Sequence, residues 1–173
     1  MPRSFSRMLA ANRTLIIAYP EAFADPEAPT ADELNATNNM VFNVSCAMLS
    51  DTALNLSDSD TDDDRTWCSV GNSVFPTYEN ADLNLTGLRD ASLTVNNCAN
   101  ALFWLTKVPD IPLILIDRIG YPPATPFAVG QRIDIFSVTT DNPTRAIPDR
   151  GNITHTNVPK LASAPVTNYE IAA

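Results

Sequence analysis

Residues 111–119 read IPLILIDRI, an apolar run of leucine and β-branched side chains bounded by prolines. A short continuous run of this composition is typical of a β-strand. Residues 131–140, QRIDIFSVTT, predict a second strand, in which the apolar phase shifts between Ile135 and Phe136. That shift indicates either a β-bulge or burial on both faces of the strand. Together the two segments indicate that the second half of the chain folds mainly as β-structure.

Further strands are predicted in the first half of the chain. Leu15–Tyr19 predicts a first strand, and residues 40–49, MVFNVSCAML, alternate with the period of two that a half-buried strand requires. Ala53–Leu56 predicts a shorter strand, separated by an aspartate-rich loop from RTWCSV at residues 65–70, which suggests a hairpin or meander. Residues 78–89 again alternate apolar and polar side chains, which predicts another strand. The strands predict an antiparallel β domain.

One helix interrupts this β pattern between residues 92 and 106. Ser92 is a suitable N-cap, and Pro109 follows the predicted end. Asn96, Asn97 and Asn100 are expected on its exposed side. The core face is expected to consist of apolar residues at three- and four-residue spacing, namely Val95, Cys98, Ala99, Leu102 and Leu105.

The remaining segments read as connections within a single domain spanning residues 1–173. A proline-rich N-terminal loop is expected at about residues 20–36, with one helical turn capped by Thr30 and Glu33. Residues from about 151 to 173 are expected to form an extended C-terminal arm, whose part from Val166 to Ile171 can add an edge strand.

The charge balance restricts the classes of partner. The 173 residues carry 20 acidic and 11 basic side chains, a formal net charge of −9. Nucleic acids and anionic membranes attract basic surfaces, so neither is expected as a binding partner. No apolar run approaches the ~18–20 residues of a membrane span, and the N-terminus lacks a signal-peptide core. The sequence predicts a protein folded in a cytoplasm.

An unusual cluster of acids, LNLSDSDTDDDRTW, occupies residues 54–67. Its spacing fits the first three ligand positions of a calcium-binding EF-hand loop, but Asp63 replaces the glycine of position six and Ser69 the glutamate of position twelve. We therefore predict a solvated loop rather than a metal site, with a weak calcium site at Asp58, Asp60 and Asp62 as the alternative. The loop acids are Asp58, Asp60, Asp62, Asp63 and Asp64.

The sequence offers no pattern for catalysis or for a cofactor. The lone histidine, His155, lies in a polar segment without a GxSxG motif and is expected to be a surface or hydrogen-bonded strand residue. Cys46, Cys68 and Cys98 form no CxxC pair, and we expect reduced thiols that fill apolar space. The protein is therefore not expected to be an enzyme.

Five segments carry a recognisable order of elements: APTADELN (28–35), TYENADLNLTGLRD (77–90), ALFWLTK (101–107), PLILIDRIG (112–120) and PFAVGQRIDIFSVTTDNP (126–143). In the order and character of their elements they resemble the major tail proteins, or tail tube proteins, of long-tailed bacteriophages. The resemblance covers roughly residues 25 to 160.

This resemblance implies a structural virion protein. Members of the family fold as an antiparallel β-sandwich or partial barrel with one flanking α-helix, and they assemble into stacked hexameric rings that form the conduit for genome delivery. The implied partners are further copies of the chain and other tail proteins at the tube ends. DNA passes through without specific binding, in keeping with the acidic composition. The implied location is the phage tail, after assembly in the host cytoplasm.

The resemblance also suggests roles for the acids. Asp82, on the polar side of a predicted strand, is a candidate for the lumen wall, whereas the Asp58–Asp64 loop is expected at a ring edge or on the outer wall. Two alternatives to a tail tube protein are a capsid decoration protein and a calcium-dependent adhesion module.

Overall fold

The computed structural model describes residues 12–56, 61–62, 73–74, 81–89, 98–147 and 151–172. These residues form mainly β-structure. The strands are β1 (Arg13–Ala18), β2 (Val41–Asn43), β3 (Ala53–Leu56), β4 (Thr61–Asp62), β5 (Ser73–Val74), β6 (Ala81–Leu88), β7 (Pro112–Ile119), β8 (Arg132–Thr139), β9 (Thr144–Ala146), β10 (Thr154–Asn157), β11 (Lys160–Leu161) and β12 (Val166–Glu170). The α-helices are α1 (Ala31–Leu34) and α2 (Cys98–Thr106), and a 3-10 turn spans Pro20–Ala22.

The first sheet is built around the two strands that the apolar runs predicted. Its order is β11-β8-β7-β1-β2, and β12 also pairs with β8. The six residues from Leu113 to Arg118 in β7 are all buried. Ile135 and Phe136 are both buried while β8 keeps an unbroken register with β7, so the phase shift reflects burial on both faces. An irregularity lies in β12 instead, where Asn168 has a φ of 59°.

The first sheet is buried on both faces and separates two apolar cores. One core lies between the first sheet, α2 and the second sheet, and it includes Ile17, Leu83, Leu85, Leu102, Leu115 and Phe136. The other lies on the opposite face, against the N-terminal segment and the residues after β7, and it includes Ile16, Phe23, Leu34, Ile116, Phe127 and Ile171. Alternate residues of β1 and β7 therefore contribute to different cores.

The second sheet has the order β3-β6-β10-β9, and all of its pairings are antiparallel. Leu83 and Leu85 point from β6 into the core, and Gly87 continues that face. A Cβ atom at Gly87 would collide with the side chain of Leu102 and lie 3.3 Å from the Ala47 carbonyl oxygen. The glycine therefore allows α2 to approach the sheet closely.

The described part of α2 begins at Cys98, and Val95 and the proposed Ser92 cap lie outside the described residues. Leu102 and Leu105 are buried, as the spacing predicted, whereas Cys98 and Ala99 are half-buried. Asn100 was expected on the exposed side and is instead 1% exposed. Because Ala101 and Thr106 are buried as well, the helix buries a broader face than a narrow apolar stripe would.

The predicted strand at residues 40–49 is shorter than its alternation suggested, since β2 ends at Asn43. The Asn43 carboxamide oxygen accepts hydrogen bonds from the Ser45 amide and hydroxyl, at 3.1 and 2.6 Å. The Leu15 amide donates to the Ser45 hydroxyl oxygen at 2.9 Å, so a side chain replaces the next backbone partner of β1. The chain then turns toward β6, where Met48 bridges to Gly87.

The proline-rich loop at about residues 20–36 covers one face of the first sheet through Phe23 and Leu34. The predicted cap of its helical turn is confirmed. The Glu33 amide donates to the Thr30 hydroxyl oxygen at 3.4 Å, and the Thr30 amide donates to the Glu33 carboxylate at 2.8 Å. Hydrogen bonds from the Ala24 and Thr30 amides lower the pKa of Glu33, because they stabilise its charged form.

Residues 151–172 do not form a separate arm. β10 lies inside the second sheet between β6 and β9, and β12 adds the predicted edge strand to β8 of the same chain. Ile171 is 1% exposed in the second core, and its amide donates to the Gln131 carbonyl oxygen at 2.9 Å. This arrangement differs from the extended arm expected from the sequence, because the polar residues of β10 lie between strands, where the ladder satisfies their backbone groups.

The structure differs from the reduced state expected for Cys46 and Cys98. Cys46 and Cys98 form a disulfide, with their Cα atoms 6.1 Å apart. The pairing was missed because the two residues are 52 positions apart and belong to a turn and a helix. Cys68 lies outside the described residues.

Candidate assembly surface

The second sheet has a polar face turned away from the core. The register of its strands places Asn55 beside Asp82 and Ala53 beside Asn84 on that face. The Thr86 and Thr156 hydroxyls lie 3.0 Å apart across β6 and β10. The remaining in-phase positions of β10 and β9 are Thr154, Thr144 and Ala146. Amides and hydroxyls thus make up most of the outer face of the second sheet, which also includes Leu88 opposite Thr154.

Two ionised side chains belong to the four strands of this sheet, Asp82 and Arg145. Asp82 is exposed on the outer face. Arg145 pairs with His155, whose side chain is buried toward the core. The Arg145 side chain therefore leaves β9 on the core side of the sheet and not on the outer face. Among the described residues of these strands, the outer face therefore carries a negative charge and no basic side chain.

Among the residues that the structure describes, no strand pairs with either edge of the second sheet. β3 forms one edge and β9 the other. All three residues of β9 are exposed, and Asn55 and Leu56 are exposed on β3. Each edge also carries a large exposed apolar side chain, Leu56 at 51% and Ile147, directly after β9, at 62%. Unpaired backbone groups beside exposed apolar side chains favour association with another strand.

His155 joins this sheet to α2. The Thr106 hydroxyl donates to the Leu102 carbonyl oxygen at 2.7 Å and lies 2.7 Å from the Nε2 atom of His155. The hydroxyl has one hydrogen, so Nε2–H of the neutral imidazole donates to the Thr106 oxygen. Burial, with a smaller contribution from the positive charge of Arg89, lowers the pKa of His155 to about 4. His155 is therefore a buried, hydrogen-bonded strand residue rather than a surface one.

A buried arginine organises the loop after β7. Arg118 is 0% exposed and donates to the carbonyl oxygens of Pro122, Thr125 and Pro126, at 3.3, 2.7 and 3.1 Å. Its other acceptors are the Thr14 hydroxyl and the Gln131 side chain. Burial lowers the pKa of Arg118, since desolvation penalises the charged form. The guanidinium therefore holds the loop in place.

The acidic loop can be placed only in part. Asp62 ends β4 and pairs with Ser73 of β5, whereas Asp58, Asp60, Asp63 and Asp64 lie outside the described residues. The predicted partner strand at residues 65–70 also lies outside them. In the part of the chain that the structure describes, no three His, Cys, Asp or Glu side chains form a group that could hold a metal ion.

The β9 edge was not anticipated from the sequence. Its three residues, TRA, are flanked by Pro143 and Pro148 and give no alternation of their own. The neighbouring segment THTN at β10 alternates buried and half-buried side chains and pairs with β9, but its uniformly polar sequence carries no signal of that pairing.

The described residues form a two-sheet antiparallel β-sandwich with a flanking helix, and the outer face of the second sheet is polar with one negative charge. This architecture fits a structural protein. The family model described as phage tail tube protein matches residues 1–173, and the chain belongs to that family. No curated protein gives a significant match. Neither described helix has the length and apolar character that crossing a membrane requires.

Family membership gives the protein a structural role in the tail tube of a phage virion. It implies assembly with further copies and with other tail proteins, and it supports a role that does not involve catalysis.

Proposed function

We propose that copies of this chain close into hexameric rings through β3 and β9, and that the stacked rings form the conduit for genome delivery. The observation that carries this proposal is the alternating direction of the four strands in the second sheet. β3 and β9 run in opposite directions, because three antiparallel pairings separate them. A second copy in the same orientation therefore places its β3 antiparallel to β9 of the first, and the ladder continues.

In this arrangement the outer face of the second sheet lines the lumen. Asp82 then faces the channel, next to the amide of Asn55 and the amide and hydroxyl groups of the neighbouring positions. Basic side chains attract phosphate and would slow the passage of DNA, whereas a polar surface with a negative charge does not bind it. The acidic loop, which connects β3 to β6, is then expected at a ring edge or on the outer wall.

The first sheet is proposed to form the outer layer. Its strand β8 pairs with β11 and β12, so these two strands, and not β8, form one edge of the first sheet in the described part of the chain. The other edge, β2, has three residues, as β9 does, so the choice of the second sheet rests on the exposed apolar side chains Leu56 and Ile147 at its edges.

Engineered cysteines test the proposed contact directly. Asn55→Cys and Thr144→Cys place thiols on β3 and β9, which lie about 14 Å apart in one copy but are adjacent across the proposed interface. Mild oxidation of the double variant should give a covalent ladder in denaturing gels that stops at six copies. Each single variant is the matched control and should give no ladder beyond that of the unmodified protein.

Electron microscopy of the same samples tests the formation of rings separately from the contact between β3 and β9. Rings without a ladder would show that other edges form the contact. A protein that stays monomeric at every concentration would overturn the ring itself, and a ladder that stops at another number would replace the hexamer.

A further inference from the structure

The Cys46–Cys98 pair joins two separate elements near the surface. Cys46 lies in the turn after β2, and Cys98 lies at the start of the described part of α2. Cys46 is exposed and Cys98 is half-buried, and Cys98 also lines a shallow groove beside Val41 and Phe42. A small thiol or disulfide in solvent can therefore approach this pair of residues.

Contacts that do not involve sulfur hold Cys46 in place. On one side of it, the Val44 amide donates to the Leu15 carbonyl oxygen at 3.0 Å. On the other side, the Leu88 amide donates to the Ala47 carbonyl oxygen at 3.0 Å, and Ala47 is 1% exposed. The turn is thus fixed between β1 and β6 by backbone hydrogen bonds.

Packing holds Cys98 in a similar way. Ala101 and Leu102, on the same helix, are 3% and 0% exposed, and Leu102 lies against Gly87. Since both elements are held by the fold, the two thiols remain neighbours when the bond is broken. Bond formation then requires no rearrangement of the chain.

We propose that Cys46 and Cys98 form a thiol–disulfide exchange site, open as two thiols in a reducing compartment and closed in an oxidising one. A low-molecular-weight disulfide such as oxidised glutathione is the oxidant. One cysteine thiolate attacks it, forms a mixed disulfide and releases one glutathione thiolate. The second cysteine attacks the mixed disulfide, forms the Cys46–Cys98 bond and releases the second glutathione, so that two thiols are oxidised and one disulfide is reduced.

The closed state has a defined physical effect on the chain. The bond encloses the residues between positions 46 and 98, which include β3 and β6 of the second sheet. A cross-link over a loop of this length restricts the unfolded chain and stabilises the folded one. The tail tube role does not require this effect, which operates within a single copy.

The test uses the full chain carrying Cys68→Ser, with the unmodified protein in parallel. Each is equilibrated over a series of reduced and oxidised glutathione ratios, alkylated without unfolding and after unfolding, and weighed intact. The expected result is two alkylated thiols in the reduced Cys68→Ser protein and none in the oxidised one. Reduction should lower the melting temperature by about 5–15 °C while the circular dichroism of the folded protein is retained.

Cys46→Ser in the same background is the matched control. It should melt at the temperature of the reduced protein and should not respond to the glutathione ratio. Two thiols that stay alkylatable in excess oxidised glutathione, a bond between copies instead of within one, or loss of the folded spectrum on reduction would each overturn the proposal. Peptide mapping of the unmodified protein should find Cys68 outside the bond, and its participation would count equally against it.

Discussion

His155 is a neutral imidazole enclosed between β10 and α2, and its protonation opposes folding. Its ordinary pKa of about 6.5 applies to the unfolded chain, whereas burial lowers the pKa to about 4 in the folded protein. As the pH falls between these values, the unfolded chain binds the proton first. Stability contributed by neutral His155 is therefore lost progressively from about pH 6.5 down to about pH 4.

We predict that the free energy of unfolding decreases across this window by about 3 kcal/mol because of His155 alone. Urea unfolding at several pH values, compared with the variant His155→Gln, isolates this contribution from that of the carboxylates. The variant should show a shallower dependence on pH. Parallel curves for the two proteins would contradict the assignment of His155 as a buried neutral group.

The contact between Gly87 and Leu102 sets the distance between the second sheet and α2. Gly87→Ala should reduce the free energy of unfolding by about 1–3 kcal/mol, because the new methyl group enters space that the leucine occupies. In a Leu102→Ala background the same change should cost less. A double-mutant cycle by chemical denaturation measures the coupling, and an additive result would show that the contact does not limit the approach.

At the scale of elements, Arg118 connects β7 with the loop that follows it. We predict that Arg118→Lys reduces the free energy of unfolding by about 2–4 kcal/mol, because an ammonium cannot reach the same set of carbonyl oxygens. The loop from Tyr121 to Pro126 should also become more sensitive to limited proteolysis. The control is Arg132→Lys, an exposed residue whose 3.5 Å contact with Glu170 contributes little. Equal effects of both changes would refute the role of Arg118.

The elements best predicted from the sequence are those whose side chains alone determine their burial. The run 111–119 and the segment 131–140 became β7 and β8, since leucine and β-branched residues fill both faces of a buried strand. The capped turn at Thr30 followed from local hydrogen-bonding chemistry.

Elements that depend on distant partners were predicted less well. The alternation at residues 40–49 extends past Asn43, but the Ser45 hydroxyl replaces the ladder there, and local pattern carries no information on that bond with Leu15. The polar sequence of β10 does not predict an inner strand, but in the structure β10 pairs with β6 on one side and with β9 on the other. For the candidate assembly surface, Asp82 could be placed on a polar strand face in advance, whereas the short β9 edge could not.

At the scale of the whole molecule, changing the acidic loop tests whether its aspartates contribute only negative charge or also bind calcium. Replacing its five aspartates with asparagine changes the formal charge from −9 to −4, since five negative charges are removed. We predict that the variant stays folded and that the unmodified protein melts at the same temperature in calcium and in chelator, because the loop lacks two defining EF-hand positions. A shift of several degrees with calcium in the unmodified protein, absent from the variant, would instead establish a calcium site.

The two open edges of the second sheet are chemically different, since β3 presents Asn55 and Leu56 whereas β9 presents threonine, arginine and alanine. A circle closed by unlike edges contains no two-fold axis that exchanges its upper and lower rims. A cylinder grown from such circles has an inherent polarity, with one end that differs from the other from the first layer onward. The fold of the single chain would thus determine that the two ends of the tube present different surfaces.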